Sequence, residues 1–401
     1  MRYPTLDQAD LKAKRVLLRA GFDVPMENGE VKDTARIDAL VPTMRYVLDQ
    51  GAALIIMAHQ GRPEGKDLTF SQKPLVPILA KLLSAKVLFA DSCTGDATLK
   101  LSQQLKLGEV LLLENLRFDD REASKDKAQR DAFAKELAVL ADLYVNDAFT
   151  NCHRDHASMT GVPKLIPGYL GLQVEKEVSG LSHAIENPRP PVTLIISGAK
   201  IETKVPVIEQ FLSNGKDILV GGCIANTLLA AAGYDVARSK FDEAFVEQSR
   251  ALMLKSEGKG MAKIHLPMDA VAATAPTADA KALDLPVEDI EADMAIYDIG
   301  AKSVEEYCAI IKTSGTIVWN GPLGLYEVEQ FAAASKKISK AIRDATAKGA
   351  VSVIGGGDTL DFHERYGVPL TGYTFVSTAG GSMLDFISGK ELPALAVLRK
   401  K

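Results

Sequence analysis

VTLIISG (residues 192–198) is a near-continuous apolar run that ends on a glycine. A strand with one wet face alternates apolar and polar residues. A continuous Val/Ile/Leu run instead marks a strand covered on both faces, as in parallel sheets. The same signature recurs at RVLLRAGFDV (Arg15–Val24), ALIIMAH (Ala53–His59), KVLFA (Lys86–Ala90), EVLLLEN (Glu109–Asn115) and LYVNDAF (Leu143–Phe149). It returns at DILVGG (Asp217–Gly222), KIHLPMDAV (Lys263–Val271), TIVWNG (Thr316–Gly321), VSVIGGG (Val351–Gly357) and TFVSTAGG (Thr374–Gly381). Amphipathic segments separate these runs. The pattern predicts an α/β chain with two successive doubly wound parallel sheets.

Between the two sets lies GLQVEKEVSGLSHAIENPRPP (Gly171–Pro191), with Leu172, Val174, Val178, Leu181 and Ile185 near helical spacing. Pro188 and Pro190 close it, which predicts a connecting helix within 171–190. A chain of 401 residues exceeds one ordinary core, so a first domain over 1–170 and a second over 191–384 are expected. A net charge of −5 argues against non-specific nucleic-acid binding. The four cysteines, Cys93, Cys152, Cys223 and Cys308, show no CxxC or zinc spacing and point to a reducing cytoplasm. The start, MRYPTLDQADLKAKR, has no apolar signal core. Ile218–Tyr234 is uncharged but short for a membrane span. With Gly221, Gly222 and Asn226 inside it, it predicts a buried strand–turn–helix.

Ligands of open α/β sheets bind beyond the carboxyl ends of the strands. In the first half those ends carry Arg19 with Asp23, His59 and Arg62 in AHQGRP, Arg117 in LLENLRF, and Arg154 with His156. One such residue is ordinarily a solvated charge; several at equivalent positions form a pocket for a small, multiply charged anion. The second half ends its strands on glycines: SGAKIETK (Ser197–Lys204), Gly221-Gly222, WNGPLGLYE (Trp319–Glu327), GGGDT (Gly355–Thr359) and STAGGSM (Ser377–Met383). Glycines before a helix let backbone amides approach phosphate, although a lone pair is more often a tight turn. Lys200 and Lys204, spaced i, i+4, are expected on one helical face. Asp358 at a helix start fits either a Mg²⁺ ligand or an N-cap. Neither GxxxxGK[ST] nor GxGxxG occurs.

FTNCHRDH (Phe149–His156) admits a metal site, a Cys–His nucleophile pair, a protein-kinase catalytic loop or an anion pocket. The kinase loop needs Asn where Thr160 stands, and neither VAIK nor DFG accompanies it. A zinc site from Cys152, His153 and His156 lacks a fourth ligand. A nucleotide half and a polyanion half together suggest phosphoryl transfer.

The chain also resembles the phosphoglycerate kinase family along essentially its whole length. The similarity is carried by KRVLLRAGFDVP, DTARIDALVPT, AHQGRP, LLENLRF, NDAFTNCHRDHASMTGV, SGAKIETK, LVGGCIANT, LPMDAV, DIGAKS, VWNGPLGLYE, VIGGGDT and FVSTAGGSMLDFISGKELP. The resemblance implies two Rossmann-like domains joined by a hinge helix, with residues 385–401 returning to the first. It implies that 3-phosphoglycerate is held by Asp23, Arg36, His59, Arg62, Arg117, Arg154 and His156, with His153 structural. Nucleotide would be held by Lys200, Lys204, Asn320, Glu327, Gly355, Gly356, Gly357, Asp358 and Thr359, with Asp358 on Mg²⁺. Arg36, Lys200 and the helix begun by Gly380 and Gly381 would act on the transferring phosphoryl group. The implied partners are ATP or ADP and 3-phosphoglycerate, used by a cytoplasmic monomer that closes about its hinge, with no membrane and no nucleic acid.

Six positions depart from the family pattern: Gly21 for aspartate, Asp23 for asparagine, Gln60 for leucine, Ser197 for glycine, Ala301 for proline and Ala379 for glycine. In an unbroken strand, residues 21 and 23 share a side, so Asp23 is expected to replace the missing aspartate. A non-catalytic nucleotide binder is the competing class, disfavoured by Arg36, Lys200, Lys204 and Asp358. A dinucleotide oxidoreductase lacks its fingerprint.

Overall fold

A computed structural model describes residues 3–27 and 29–399; the outermost bounds expected for the first domain, 1 and 401, lie outside them. The chain divides into two compact units, Met1–Val178 with Glu391–Lys401, and Ser179–Lys390. The division falls inside a helix, Leu172–Ile185, within the segment expected to connect the domains.

Each unit is built on a six-stranded parallel sheet. In the first, the order is Val87–Ala90, Val110–Leu113, Ala53–Met57, Arg15–Ala20, Leu143–Asp147, Gly168–Leu170. In the second, it is Lys263–His265, Asp217–Val220, Val192–Ile196, Thr316–Asn320, Val351–Gly355, Phe375–Ser377. Central strands such as Ala53–Met57 and Val192–Ile196 are buried at every residue, which is why their sequences do not alternate. The uncharged Ile218–Tyr234 stretch becomes strand Asp217–Val220 and helix Gly222–Ala232, as expected.

Two differences have plain causes. KIHLPMDAV is not one strand: it breaks around Pro267, whose missing N–H interrupts a ladder. Lys263–His265 stays in the parallel sheet, and Asp269–Ala273 pairs antiparallel with Leu283–Pro286 and Ala295–Ile299. RVLLRAGFDV also stops early, at Ala20, so residues 21 and 23 do not share a strand face.

That antiparallel sheet caps helix Ala301–Thr313. Asp269 accepts the amides of Lys302 and Ser303, both at 2.8 Å, and the Ser303 hydroxyl. Asp284 accepts the Ala301 amide at 2.9 Å. These are helix-start donors that no intrahelical carbonyl can satisfy. The arrangement explains Ala301, because proline there would have no N–H for Asp284. Gly300 is required as well, since a Cβ would overlap both carboxylates. Asp269→Ala should therefore lower stability by about 2–3 kcal/mol, against about 0.5–1 for the exposed Asp284→Ala. Thermal melting of the full chain checks the ranking; equal shifts would refute it.

Candidate functional site

Each sheet reverses its winding at one place, and part of each expected residue set lies beside it. In the first unit the reversal lies between Arg15–Ala20 and Leu143–Asp147. The chain leaving Ala20 turns at Asp23, whose φ of 29° is left-handed, a conformation Asp and Asn tolerate better than most residues. The Asp23 carboxylate accepts the Gly61 amide at 2.8 Å, and its second oxygen lies 3.7 Å from both Arg36 Nη1 and His59 Nε2. Arg36 also donates to the Asp23 carbonyl at 2.7 Å, and Arg117 donates to the Gly61 carbonyl. Asp23, Arg36, His59 and Arg117 thus meet.

Electrostatics ties in the others. Burial, then Arg154, lowers the proton affinity of the Arg117 guanidinium; burial, then Arg62, does the same to Arg154. Burial, then Arg19, Arg154 and Arg117, pulls His156 down to about 3. Burial, then the same three arginines, holds His59 well below the usual imidazole range. Arginines that lower one another's proton affinity, and that keep two neighbouring imidazoles neutral, make a region of unbalanced positive charge.

Gln60 proves to be a strut. Its amide accepts from the Val24 amide at 3.1 Å and donates to the Val24 carbonyl, a two-point tie that leucine could not make. Asn115 extends the tie by donating to the carbonyls of Gln60 at 2.8 Å and Phe70 at 2.9 Å. Gly21 lies elsewhere: a Cβ there would sit 3.3 Å from Ala148 Cα, so the expectation that residues 21 and 23 share one face is not met.

The CHRD segment follows the second strand of the reversal. Cys152 is buried, its thiol pushed up to about 12 by that burial, and it donates to the Ala148 carbonyl at 3.6 Å, so it is no nucleophile. Asp155 is bound by Arg130 at 2.8 Å and by the Thr160 hydroxyl, so it is no base. His153 Nε2 lies 3.4 Å from Arg154 Nε.

In the second unit the reversal lies between Val192–Ile196 and Thr316–Asn320. Lys204 donates to Asn320 Oδ1, and Asn320 Nδ2 donates to the Gly355 carbonyl at 2.7 Å. Thr359 Oγ1 accepts the Gly321 amide at 2.9 Å and donates to the Gly355 carbonyl at 3.0 Å. Gly356, at φ 102°, then starts helix Gly357–Arg365, and a Cβ on it would lie 2.6 Å from the Asn320 amide nitrogen. Burial pulls Lys204 down to about 8, opposed by the Asp358 carboxylate in the helix's exposed first turn.

Lys200 and Lys204 do not share a helical face. The helix begins at Val205, next to Pro206, whose fixed φ suits a first turn, and both lysines precede it. Lys200, Glu327 and Gly381 are exposed, and Gly380 is the N-cap of helix Gly381–Ile387; among the described residues none of the four bonds into the Lys204–Asn320 network. Strand pairing does set Ser377 beside Gly355, three residues before Gly380. Ala379 is accommodated, buried without a left-handed φ, whereas Ser197 is buried at the reversal point with a hydroxyl that finds no hydrogen-bond partner among the described residues.

Comparison with known proteins gives one answer. The family model described as phosphoglycerate kinase matches residues 6–390. The phosphoglycerate kinase of Prosthecochloris aestuarii is 40% identical over 99% of this chain and 100% of its own length. That of Chloroflexus aurantiacus is 40% identical over 100% and 99%. The structure of the Coxiella burnetii enzyme superposes with a TM-score of 0.88 at 32% identity, covering 99% of this chain and 98% of its own. With a family match over residues 6–390 and relatives this similar from end to end, the chain belongs to the phosphoglycerate kinase family.

Proposed function

We infer that this chain catalyses the reversible transfer of a phosphoryl group between ATP and the carboxylate of 3-phosphoglycerate, giving ADP and 1,3-bisphosphoglycerate. The carrying observation is the arginine–histidine cluster of the first unit, which meets around Asp23 and Gly61 and whose members lose proton affinity to burial first and to one another second. A ligand with a phosphate and a carboxylate relieves that repulsion at both ends.

In this reading Asp23, Arg36, His59, Arg62, Arg117, Arg154 and His156 hold 3-phosphoglycerate. Lys200, Lys204, Asn320, Glu327, Gly355–Gly357, Asp358 and Thr359 hold the nucleotide, and the helix begun by Gly380 and Gly381 aims its amides at the transferring group. The acceptor carboxylate is ionised at neutral pH, so no general base is required, and Asp155 of the CHRD segment is bound by Arg130 and Thr160. Arg36 and Lys200 offset charge as it spreads over the moving phosphoryl oxygens. Asp358 would hold Mg²⁺: one exposed carboxylate beside phosphates fits an ion that takes one or two protein carboxylates and substrate oxygens. When bound, the ion would neutralise phosphate charge. Bonding distance and exclusion of water call for a closure step about helix Leu172–Ile185. No helix among the described residues is long and apolar enough to cross a membrane, and we place the enzyme in the cytoplasm as a monomer.

A coupled assay of 3-phosphoglycerate-dependent ATP consumption tests the whole proposal. Arg36→Ala should lower the rate by about two to three decades, or about 3–4 kcal/mol, with the fold retained. A chain that binds ADP but never turns over would establish the non-catalytic alternative.

Asp23 is proposed as a substrate-side residue because its carboxylate lies between Arg36 and His59. Asp23→Ala should reduce kcat/KM for 3-phosphoglycerate about tenfold and leave ADP affinity unchanged. An equal or better variant would mean that Asp23 is only tolerated.

Lys204, with a pKa of about 8, is charged below that pH and neutral above it. Bound phosphates favour the charged form, so nucleotide binding takes up a proton as pH rises past 8. ADP affinity, followed by calorimetry, should weaken about tenfold between about pH 7 and about pH 9 in the parent, and stay level in Lys204→Arg. A level profile in the parent would remove Lys204 from the phosphate contacts.

A further inference from the structure

Arg19 is a guanidinium only 1% exposed, and a charge so deeply buried is costly unless its donors are matched. Its Nε donates to Ser158 Oγ at 3.0 Å and one terminal nitrogen to the Ala20 carbonyl. The other terminal nitrogen lies 3.1 Å from His59 Nδ1. Ser158 in turn donates its hydroxyl and its amide to the two oxygens of Glu122, at 2.6 and 3.0 Å. Arg19 and Glu122 are thus buried opposite charges joined through Ser158.

The chemistry of the third bond decides a proton. A guanidinium has donors and no acceptor, so His59 Nδ1 must accept. A neutral imidazole that accepts at Nδ1 carries its hydrogen on Nε2, the nitrogen 3.7 Å from the Asp23 carboxylate. We propose that Arg19 is a positioning residue: anchored by Ser158 and Glu122, it locks His59 in the Nε2–H tautomer and presents it to the substrate's anionic end as a neutral hydrogen-bond donor. The role assigned to that donor rests on the 3-phosphoglycerate reading above; the tautomer does not. Arg117 and Arg154 already supply charge around this imidazole, and burial disfavours a further cation. A neutral donor adds direction without adding repulsion.

The test reads the tautomer directly. In the full chain labelled with ¹⁵N-histidine, the His59 resonances, assigned by their loss in His59→Gln, should show Nε2 protonated and Nδ1 bare. In Arg19→Met the two tautomers should mix, and KM for 3-phosphoglycerate should rise about tenfold or more while KM for ATP stays within about twofold. Arg19→Lys, which keeps one donor within reach, should restore part of both. His59 protonated on Nδ1 in the parent, or an unchanged tautomer in Arg19→Met, would overturn the proposal. If Arg19→Met does not fold, the parent spectrum alone decides. A parent inactive on 3-phosphoglycerate would remove the proposed substrate and leave the tautomer lock standing or falling on the spectrum.

Discussion

Burial of the central strands on both faces is the constraint from which the rest of this structure follows. Strands such as Val110–Leu113 and Val192–Ile196 have no exposed residue, so they offer no face on which to build a site. Polar chemistry is pushed to the strand ends, where chain leaves the sheet and backbone groups open to ligand. Reversal of winding then leaves one crevice per sheet. Gly21–Pro25 and Ala148–His156 leave the first crevice; Ser197–Lys204 and Gly321–Glu327 leave the second.

The same constraint explains what could be read from sequence. Runs buried on both sides are visible as uninterrupted apolar residues, so the parallel strands and the residues just after them were legible. Short strands with few branched apolar residues, and strands of the small antiparallel sheet, carry weaker patterns. Gly168–Leu170, Leu283–Pro286 and Ala295–Ile299 escaped, and Pro267 split a run that looked whole. Most of the proposed site residues were legible because they sit at those ends. Their supports were not: Glu122 in DDREAS reads as one more solvated charge, yet it is 1% exposed and holds Ser158. Local spacing shows which residues are near in chain; only tertiary packing shows which charges are dry.

Departures from the family pattern look different once packed. Gln60 gains two bonds to the Val24 backbone, and Ala301 supplies an amide to Asp284. Each puts a hydrogen bond between a side chain and a backbone segment, Gln60 with Val24 and Asp284 with the start of helix Ala301–Thr313. Ala379 needs no compensation, because its backbone is one any residue adopts. Gly21 and Asp23 are a separate matter. The strand ends before them, so a carboxylate at 23 approaches from the Gly61 side and not from the sheet, and it is seated by the Gly61 amide.

The two crevices solve anion binding by different means, and the shapes of their proposed ligands account for the difference. A short acid with a charged group at each end offers little length for a backbone to follow, so separated guanidinium groups with fork geometry serve it best. Their mutual repulsion is the consequence, and it argues for at least one uncharged donor among them, which is the place His59 fills. A phosphate chain is longer, and a glycine-bearing loop can lie along it with amides pointing inward. There the side chains brace the loop: Asn320 and Thr359 both bond the Gly355 carbonyl and so fix the amides that follow. Lys204 completes that brace while half neutral near pH 8, which leaves its full charge to be drawn out by the phosphates themselves. Near pH 8 and above, one unit thus holds its positive charge in advance and the other acquires part of it on binding.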